Sequence, residues 1–562
     1  MLTSDRACPT ASRSVVHPRY PSRSTVPAQG NSLLRVFPSF PCCRADTGHL
    51  RLKSAPSMIE SAPDVNPGRD PGPPPRPPCR PTRPAVDGGF CMGAGDSRSV
   101  ALSLLDAVRR QDVLLTAALR HELFRRDLDP RTSAPANRAA LGTLRNRRLL
   151  DALLAPLAER GLPKKDERLM DLLRLALHEY LFMDSVPDYA TLSSYVTLAR
   201  KTKGPRVAGF VNALLRKAAA LGRDVLLARA EALPLADRLS FPDHVADAAE
   251  QVFGPEAPDQ LAWMNRPAPI GLTVHTGRTD RNALSAALRQ VGLHPAAVDF
   301  APAGLVLPPD EPPYQTLQFA QGLFWPQDPA SQMVTLLARP KTSGRILDAC
   351  AGNGTKSLGL ALASPPGTEI VALDLSEPRI KLLTQRLEEL EISNVTPVAC
   401  DLLAAPYPPG SFDTVLVDAP CTGLGTVRRH PELKWRRTPA DVASNSEIQA
   451  RLIAAASDLV APGGTLVYTV CTFTPQETTG VTAGFLAAHP DFRLVQASEL
   501  PARGVGIPET VLLSAAPSLP SQQPGSLFLP PSRFDSDCFF AAVFVKARAA
   551  LPAPHHDVAL DV

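Results

Sequence analysis

The chain has 562 residues, of which 44% are hydrophobic and 20% are charged, and this ordinary globular composition excludes a wholly disordered or collagen-like protein. No run of 18 apolar residues occurs, so we expect no membrane-spanning helix. The net charge is only +4, but the segment 98–220 has 22 Lys and Arg residues against 13 Asp and Glu residues, an excess that suits nucleic acid as well as a solvated helical surface.

The first 95 residues are predicted to be a disordered head, because they contain 17 of the 60 prolines. Runs such as PGPPPRPPCRPTRP (71–84) cannot form a helix or an inner strand. The arginine-rich, acid-poor beginning is also typical of a transit peptide, although the prolines interrupt any amphipathic helix. We prefer the interpretation in which translation starts at Met92. At the other end, residues 549–562 are predicted to be a flexible tail.

Residues 97–225 are predicted to form an all-α domain. In DERLMDLLRLALHEYLF (166–182) the apolar side chains recur with helical spacing and form one face of an amphipathic helix. Three arginines in TLRNRRLLD (143–151), namely Arg145, Arg147 and Arg148, are candidates for contact with RNA phosphates. The competing interpretation is that these arginines are only solvated.

Residues 230–325 are predicted to be a small α+β connecting module. IGLTV (270–274) and GLVL (304–307) favour strands, and RNALSAALRQVGL (281–293) favours a helix between them.

Residues 326–548 alternate between short β-branched runs and helical stretches. The runs are RILDA, EIVALD, VTPVA, FDTVLVD and GTLVYTV. This alternation predicts an α/β, Rossmann-like, doubly wound domain, so the whole chain is expected to be multidomain. Ligands of such sheets bind at the carboxyl ends of the strands.

The predicted strand ends carry acids, glycines and two cysteines: Asp348, Gly352, Gly354, Asp374, Asp401, Asp418, Cys421 and Cys471. The glycines allow a tight turn, and an acid about 20 residues later is typical of ribose binding. The turn lacks the GxxxxGK[ST] pattern that binds polyphosphates, so we expect a nucleoside without one. S-adenosylmethionine fits, with Asp374 at the ribose and Asp401 near the adenine.

Two cysteines at strand ends indicate covalent catalysis on a pyrimidine. Carbon 5 of the ring is a poor nucleophile, but a thiolate that adds at carbon 6 makes it reactive toward a methyl sulfonium. A base must then remove the carbon-5 proton. The thiolate needs electropositive surroundings, which Lys356 and the run RRHPELKWRR (428–437) are expected to supply. No CxxC pair and no histidine at zinc-ligand spacing occurs, so no metal is predicted.

Several motifs resemble those of a known family: QDPASQ (327–332), LDACAGNGTKS (347–357), DAPCTG (418–423) with RRHPELKW after it, and YTVCT (468–472). They are similar to motifs of the Sun (Nol/Nop/Sun) family of RNA 5-methylcytosine methyltransferases. The helical stretches ALHEYLFMDSVPDYATLSSYVTLAR (176–200) and GFVNALLRK (209–217) resemble a NusB-like RNA-binding domain. Together they resemble the bacterial small-subunit ribosomal RNA methyltransferases of this family, over about residues 97–547.

The resemblance implies a role for each matching residue. Cys471 would be the nucleophile on cytosine, Cys421 would help release the product, and Asp418 would face the cofactor and the base. The methionine end of the cofactor would be lined by Cys350, Ala351, Gly352, Asn353, Gly354, Thr355 and Lys356. Pro420–Cys421 also fits the nucleophile pattern of DNA cytosine methyltransferases, so the division of roles between the cysteines rests on the family likeness.

Three segments depart from the usual family pattern. Where the family usually has CAAPGGK, this chain has CAGNGTK, with Asn353 in place of proline and Thr355 in place of the second glycine. Where the family usually has EN after the nucleophile, this chain has QET, with Glu477 followed by Thr478. Near the carboxyl end, the usual DGFF is replaced by DCFF, with Cys538 in place of glycine. None of these changes removes a proposed catalytic atom, and Cys538 is interpreted as a packing residue.

The implied function is S-adenosylmethionine-dependent methylation of carbon 5 of a cytosine in small-subunit (16S) ribosomal RNA. We expect a cytoplasmic monomer that needs neither metal nor membrane, with Arg428 and Arg429 as further RNA contacts. Two alternatives remain: a non-catalytic, antitermination-like RNA-binding protein with a degenerate methyltransferase fold, and the same chemistry on transfer RNA. A nicotinamide-dependent dehydrogenase also fits a glycine turn with an acid, but it leaves the two cysteines unexplained.

Overall fold

The computed structural model of the chain describes residues 96–183, 188–515 and 523–548. The predicted head (1–95) and tail (549–562) lie outside the described residues, so both remain predictions. Within the described ranges, every helix is too short or too polar to cross a membrane.

Helices α1 to α8 form the predicted all-α domain around one apolar core. Asp96, Asp129 and Asp166 each accept a backbone N–H from the first turn of the helix that follows, which explains where three of these helices begin. The helices are α1 (Ser97–Gln111), α2 (Leu115–Arg126), α3 (Pro130–Arg145), α4 (Arg147–Leu154), α5 (Glu167–Phe182), α6 (Asp188–Lys203), α7 (Pro205–Leu221) and α8 (Arg223–Glu231).

Helix α5 is the centre of this domain, and it differs from the amphipathic helix that the sequence predicts. Every residue of the stretch 169–181 is buried, including the charged ones. Arg174 donates to Asp171 at 2.9 Å, and Glu179 is paired with Arg98. The prediction of one apolar face is therefore incomplete, because the polar face is also covered and its charges are paired inside the domain.

A second region combines five helices with a small antiparallel sheet of order β2-β3-β1-β4. The predicted strands at 270–274 and 304–307 are confirmed, and the predicted helix 281–293 ends earlier. The elements are α9 (Leu235–Arg238), α10 (Asp243–Phe253), α11 (Ala257–Met264), β1 (Ile270–Val274), α12 (Arg281–Gln290), β2 (Ala296–Ala297), β3 (Gly304–Leu307), α13 (Leu317–Ala320) and β4 (Phe324–Pro326). Helices α10 and α11 pack into the core of the following domain rather than onto this sheet.

The remaining elements form the predicted α/β doubly wound domain. They are α14 (Pro329–Leu337), β5 (Arg345–Asp348), α15 (Thr355–Ala363), β6 (Glu369–Asp374), α16 (Glu377–Glu389), β7 (Val395–Ala399), β8 (Phe412–Asp418), α17 (Leu433–Arg436), α18 (Pro439–Leu459), β9 (Val460–Val470), α19 (Val481–Ala488), β10 (Phe492–Leu494), α20 (Glu509–Ala515), β11 (Leu527–Leu529), α21 (Pro531–Phe534) and β12 (Phe539–Lys546). The main sheet has the order β10-β12-β9-β8-β5-β6-β7, with β11 beside β12.

The sheet is parallel from β5 to β9, and β10, β11 and β12 add an antiparallel edge that the sequence reading missed. Both faces are covered: on β5, Ile346 packs into one core and Leu347 into the other. The strand order reverses at β5, between β6 and β8, so the carboxyl ends of these strands open onto one crevice.

Candidate active site

Two thiols meet at this edge of the sheet. Cys421 follows β8 and Cys471 follows β9, two neighbouring parallel strands. Their Sγ atoms lie 3.3 Å apart, and both side chains are half-buried. The hydrogen bond with Cys471, together with burial, raises the pKa of Cys421 well above its usual value. Cys421 therefore stays a thiol at neutral pH, and either sulfur can be the donor of the hydrogen bond that joins the two side chains.

A buried carboxylate joins the two loops that carry these cysteines. Glu477 lies in a π-helical turn (Gln476–Gly480) and is fully buried. Its oxygens accept the Thr422 backbone N–H at 2.8 Å, the Thr422 hydroxyl at 2.6 Å and the Thr474 hydroxyl at 2.8 Å. Gln449 on α18 donates a further bond at 3.1 Å. Thr422 follows Cys421 and Thr474 follows Cys471 closely, so Glu477 fixes one loop against the other.

In the sequence, Glu477 stands out only within a segment that departs from the family pattern, and no role is predicted for it. A local signal was present, because an acid surrounded by hydroxyl residues in TFTPQETT (472–479) is typical of a buried, hydrogen-bonded carboxylate.

A close backbone approach holds the same two loops from another side. Gly425 donates its N–H to the carbonyl of Cys471 at 2.9 Å and accepts the N–H of Cys538 at 2.9 Å. A Cβ at this position would lie 2.0 Å from the Cys538 carbonyl oxygen and 2.8 Å from the Cys471 carbonyl oxygen. Only glycine fits here without displacing the loop that carries Cys471.

An ion pair lies beside the thiols. The Nζ of Lys356 donates to an Asp418 carboxylate oxygen at 2.6 Å. Burial would lower the pKa of Lys356, but the neighbouring Asp418 and Asp348 outweigh it and raise that pKa. The ammonium thus stays charged, and its field also reaches Cys471. This agrees with the expected electropositive surroundings of the nucleophile as far as Lys356 is concerned.

The glycine turn and the predicted ribose acid are in direct contact. One Asp374 oxygen accepts the Gly352 N–H at 2.8 Å, and the other accepts the Ser376 N–H at 2.8 Å. Gly352 has φ +57°, and the space beside its Cα is open. Gly354 has φ +77°, and a Cβ there would lie 2.1 Å from a Leu383 methyl on α16. The turn therefore depends on both glycines, and Asp374 holds it in place.

Three further strand-end groups differ in their surroundings. Asp348 is fully buried: one oxygen accepts the Ser357 hydroxyl at 2.6 Å, and the other lacks a partner among the described residues. Burial raises the pKa of Asp348 to about 6. Burial also raises the pKa of the Cys350 thiol, with nearby carboxylates adding to the effect. Asp401 is exposed and accepts the Leu403 N–H at 3.0 Å, so it caps a short turn at the rim.

The five arginines predicted to contact RNA all have partners inside the protein. Arg428 is buried and donates to Asp535 and to backbone carbonyls, and Arg429 bridges Asp328 and Asp537. The other three lie at the edge of the all-α domain: Arg145 donates to the Arg428 carbonyl, Arg147 stacks over Trp435, and Arg148 is paired with Asp237 and Asp243. The structure gives these side chains roles within the fold, and their contact with RNA remains a prediction.

In the run 428–437, Lys434 and Trp435 face the all-α domain, whereas Arg437 donates to the Thr422 carbonyl at 2.8 Å, beside Cys421. Lys434 is buried and donates to the Arg145 carbonyl, the Ser240 carbonyl and the Asn265 side chain at 2.8–2.9 Å. Trp435 donates to the Leu144 carbonyl at 2.7 Å. The expectation that this run surrounds the nucleophile with positive charge is therefore wrong for Lys434, because this cation is used to join the domains.

Comparison with known proteins matches two parts of the chain. Residues 334–545 match the family model "16S rRNA methyltransferase RsmB/F", and residues 96–220 match the model of the NusB family. The ribosomal RNA small subunit methyltransferase B of Thermus thermophilus is 35% identical over 407 residues, which cover 72% of this chain and 90% of that protein.

A second relative and one solved structure extend this similarity. The probable ribosomal RNA small subunit methyltransferase B of a Synechocystis strain is 30% identical, over 71% of this chain and 90% of that protein. The crystal structure titled PH0851 superposes with a TM-score of 0.63 at 23% identity, and covers 80% of this chain and 99% of that one. At this identity the structural likeness concerns the fold alone.

Proposed function

The chain belongs to the RsmB/F family of ribosomal RNA methyltransferases, and we propose that it methylates carbon 5 of a cytosine in 16S ribosomal RNA. One observation carries this proposal. The Sγ atoms of Cys421 and Cys471 lie 3.3 Å apart at the carboxyl edge of the sheet, beside the Lys356–Asp418 ion pair. Packing of the sheet does not explain two free thiols in contact at this place, and neither does binding of a redox cofactor. Covalent catalysis on a pyrimidine does explain them, because one group must add to the ring as a nucleophile and another must accept a proton before the ring is released.

S-adenosylmethionine is the cofactor, and it supplies a methyl group bonded to a positively charged sulfur. The residues present fit a nucleoside of this kind, because Gly352 leaves open space beside its Cα and the Asp374 oxygens keep lone pairs after accepting two N–H groups. In the proposal, residues 350–356 hold the methionine end, Asp374 the ribose and Asp401 the adenine side. Asp418 faces the methyl group and the base.

The first step belongs to Cys471. Its thiolate adds to carbon 6 of the cytosine, and the electrons of the C5–C6 double bond move to carbon 5. Carbon 5 would then accept the methyl group from bound S-adenosylmethionine, whose sulfur would keep the bonding electron pair and leave as a neutral thioether. Lys356 favours the thiolate by its charge, and the Cys421 S–H donates a hydrogen bond to it at 3.3 Å.

Release belongs to Cys421. Once Cys471 is bonded to carbon 6 as a thioether, the hydrogen bond that most strongly raises the pKa of Cys421 is lost. Cys421 then becomes a stronger acid, releases its S–H proton to solvent and, as a thiolate, accepts the carbon-5 proton. The S–C6 bond breaks as the C5–C6 double bond forms again, and the Cys471 thiolate is restored.

The test combines methyl transfer with adduct trapping. The full chain is incubated with radiolabelled S-adenosylmethionine and unmethylated 16S ribosomal RNA, with transfer RNA in a parallel reaction, and the products are digested to nucleosides. We expect 5-methylcytidine from 16S RNA, no product with Cys471→Ala, and a protein–RNA adduct on a denaturing gel with Cys421→Ala. Cys538→Ala is the matched control, because Cys538 is a buried packing cysteine close to the pair.

Four results would overturn the proposal in different ways. Label on an atom other than carbon 5 would contradict the chemistry, and equal activity of Cys471→Ala would contradict the nucleophile. RNA binding without methyl transfer to either RNA would favour the non-catalytic alternative. Transfer only to transfer RNA would keep the chemistry and replace the substrate.

A further inference from the structure

The exposed Lys and Arg side chains of the all-α domain do not lie at the arginine-rich motif TLRNRRLLD (143–151), where the sequence predicts RNA contact. Arg145, Arg147 and Arg148 are used in contacts within the protein. The side chains that remain exposed and without a hydrogen bond or ion pair, within the described ranges, include a group on the loop between α4 and α5 and on the neighbouring ends of α6 and α7. We call this group the basic strip: it consists of Arg160, Lys164, Lys165, Arg200 and Arg206.

The loop between α4 and α5 is fixed along helix α7 at two points. At one end, Lys217 donates to the carboxylate of Glu159 at 2.5 Å and to the Leu157 carbonyl at 3.4 Å. At the other end, Lys203 donates to both oxygens of Asp166 at 2.8–2.9 Å. Lys203 ends α6, and only Gly204 separates it from the start of α7, so the loop runs along α7 from its last turns back to its beginning.

Helix α7 brings one more cation to the same side. Arg206 and Lys217 are eleven residues apart, which is three turns of helix, so both side chains leave α7 in nearly the same direction. The distance along the axis is about 16 Å. Arg160, Lys164 and Lys165 lie on the loop between these points, and Arg200 is one turn before Lys203 on α6. The strip is therefore continuous over roughly the length of α7.

The charge of this surface is not neutralised locally. The segments 159–166 and 200–206 contain seven Lys and Arg residues and two acids, Glu159 and Asp166. Both acids are already paired, with Lys217 and Lys203 respectively. Gly209 on α7 has open space beside its Cα, so no other described residue covers the helix surface at this position, one turn after Arg206.

We propose that the basic strip binds the phosphate backbone of a single-stranded segment of the RNA substrate. The inference rests on the proposed function, because it supplies the anchor for the RNA whose cytosine enters the active site. Lys and Arg contacts to phosphate position a nucleic acid without reading its sequence, and a strip of about 16 Å is long enough for several consecutive phosphates. The strip thus holds the strand while the thiols act on the base.

The test is RNA binding by the full chain as a function of salt. The triple variant Lys164→Gln/Lys165→Gln/Arg206→Gln removes three charges from the strip. The control Arg120→Gln/Arg131→Gln/Arg138→Gln removes three exposed arginines from α2 and α3, which pack mainly against α1 and α5. The probe is a fluorescent single-stranded 16S fragment, measured by anisotropy without cofactor at several salt concentrations, and thermal melting checks that each variant is folded.

We expect the strip variant to lose about tenfold or more in affinity, and the slope of log Kobs against log[salt] to fall by about 2 for three lost phosphate contacts. The control keeps the wild-type slope. The inference would be overturned if the strip variant kept the wild-type affinity and salt slope, or if the control lost as much affinity as the strip variant. The first of these results is also expected if the strip binds an acidic protein partner instead of RNA. If the wild-type chain binds RNA through the strip but transfers no methyl group, the proposed function is overturned instead of this inference.

Discussion

The carboxylate of Glu477 has no contact with solvent, yet both of its oxygens accept several hydrogen bonds. The donors come from the loop after Cys421, the loop after Cys471 and helix α18. A buried charge is tolerated only when it is satisfied in this way, so its function here is to position the two thiols. Glu477 touches neither sulfur, and it acts through Thr422 and Thr474.

We expect Glu477→Gln to lower the free energy of unfolding by about 2 to 3 kcal/mol, because an amide cannot accept all the hydrogen bonds that the carboxylate accepts. The adduct rate should fall by about 100-fold, since the two thiols lose their mutual geometry. Chemical denaturation and the rate of RNA adduct formation measure the two effects. Glu447→Gln, on the exposed side of α18, is the control. A folded Glu477→Gln protein with the wild-type adduct rate would contradict the positioning role.

Asp348 gives a pH-dependent prediction. Its pKa is raised by burial to about 6, above the value near 3.9 in an unfolded chain, so the folded state favours the protonated acid. Its contribution to stability is full below about pH 4 and is lost as the pH rises through 6. The variant Asp348→Asn does not have this pH-dependent loss of stability. The difference between its free energy of unfolding and that of the wild type should therefore rise by about 2 to 3 kcal/mol from pH 4 to pH 8. A difference that does not change with pH would contradict the assignment.

Gly425 gives a steric prediction. A Cβ would lie 2.0 Å from the Cys538 carbonyl oxygen, so Gly425→Ala must displace the backbone beside Cys471. We expect a loss of about 1 to 3 kcal/mol of stability and strongly reduced adduct formation. The control is Gly484→Ala on α19, where the space is open and alanine should stabilise the helix slightly. Equal behaviour of the two variants in melting and adduct assays would refute the close-approach argument.

At the scale of elements, the segment after Cys421 connects three parts of the molecule. Arg437 donates to the Thr422 carbonyl at 2.8 Å, Lys434 and Trp435 bind carbonyls of the all-α domain, and Arg429 binds Asp328 at the start of α14. The loop that carries Cys421 is therefore held by contacts with residues far away in the sequence. This makes the all-α domain a structural support of the active site.

Replacing Lys434 tests this support. Lys434→Met leaves three buried oxygen acceptors without a donor, which should cost at least about 2 kcal/mol and loosen the edge of the all-α domain. Denaturation followed by tryptophan fluorescence measures the loss, and hydrogen exchange in α3 and α4 locates it. Lys381→Met, on the exposed side of α16, should leave both quantities unchanged. Wild-type stability of the Lys434→Met protein would show that the segment does not hold the domains together.

At the scale of the whole molecule, local spacing predicted most of the fold and the strand-end residues. The alternation of apolar runs is a short-range signal, so β1, β3 and the strands from β5 to β9 were predicted, and with them the positions of Asp374, Cys421 and Cys471. Contacts between distant segments carry no such signal. Arg145 and Lys434 are 289 residues apart in the sequence, yet they meet at a domain junction. From local charge alone both side chains would be placed on the surface, but in the structure Lys434 is buried and Arg145 is half-buried between domains.

The measurement that tests the central claim most directly is identification of the residue that bonds to the base. RNA containing 5-fluorocytidine traps a covalent adduct, because fluorine at carbon 5 cannot leave as a proton does. After incubation with S-adenosylmethionine, digestion and mass spectrometry locate the modified peptide. We expect an adduct on Cys471 in the wild type and in Cys421→Ala, and none in Cys471→Ala. An adduct on Cys421, or methyl transfer without any adduct, would contradict this expectation.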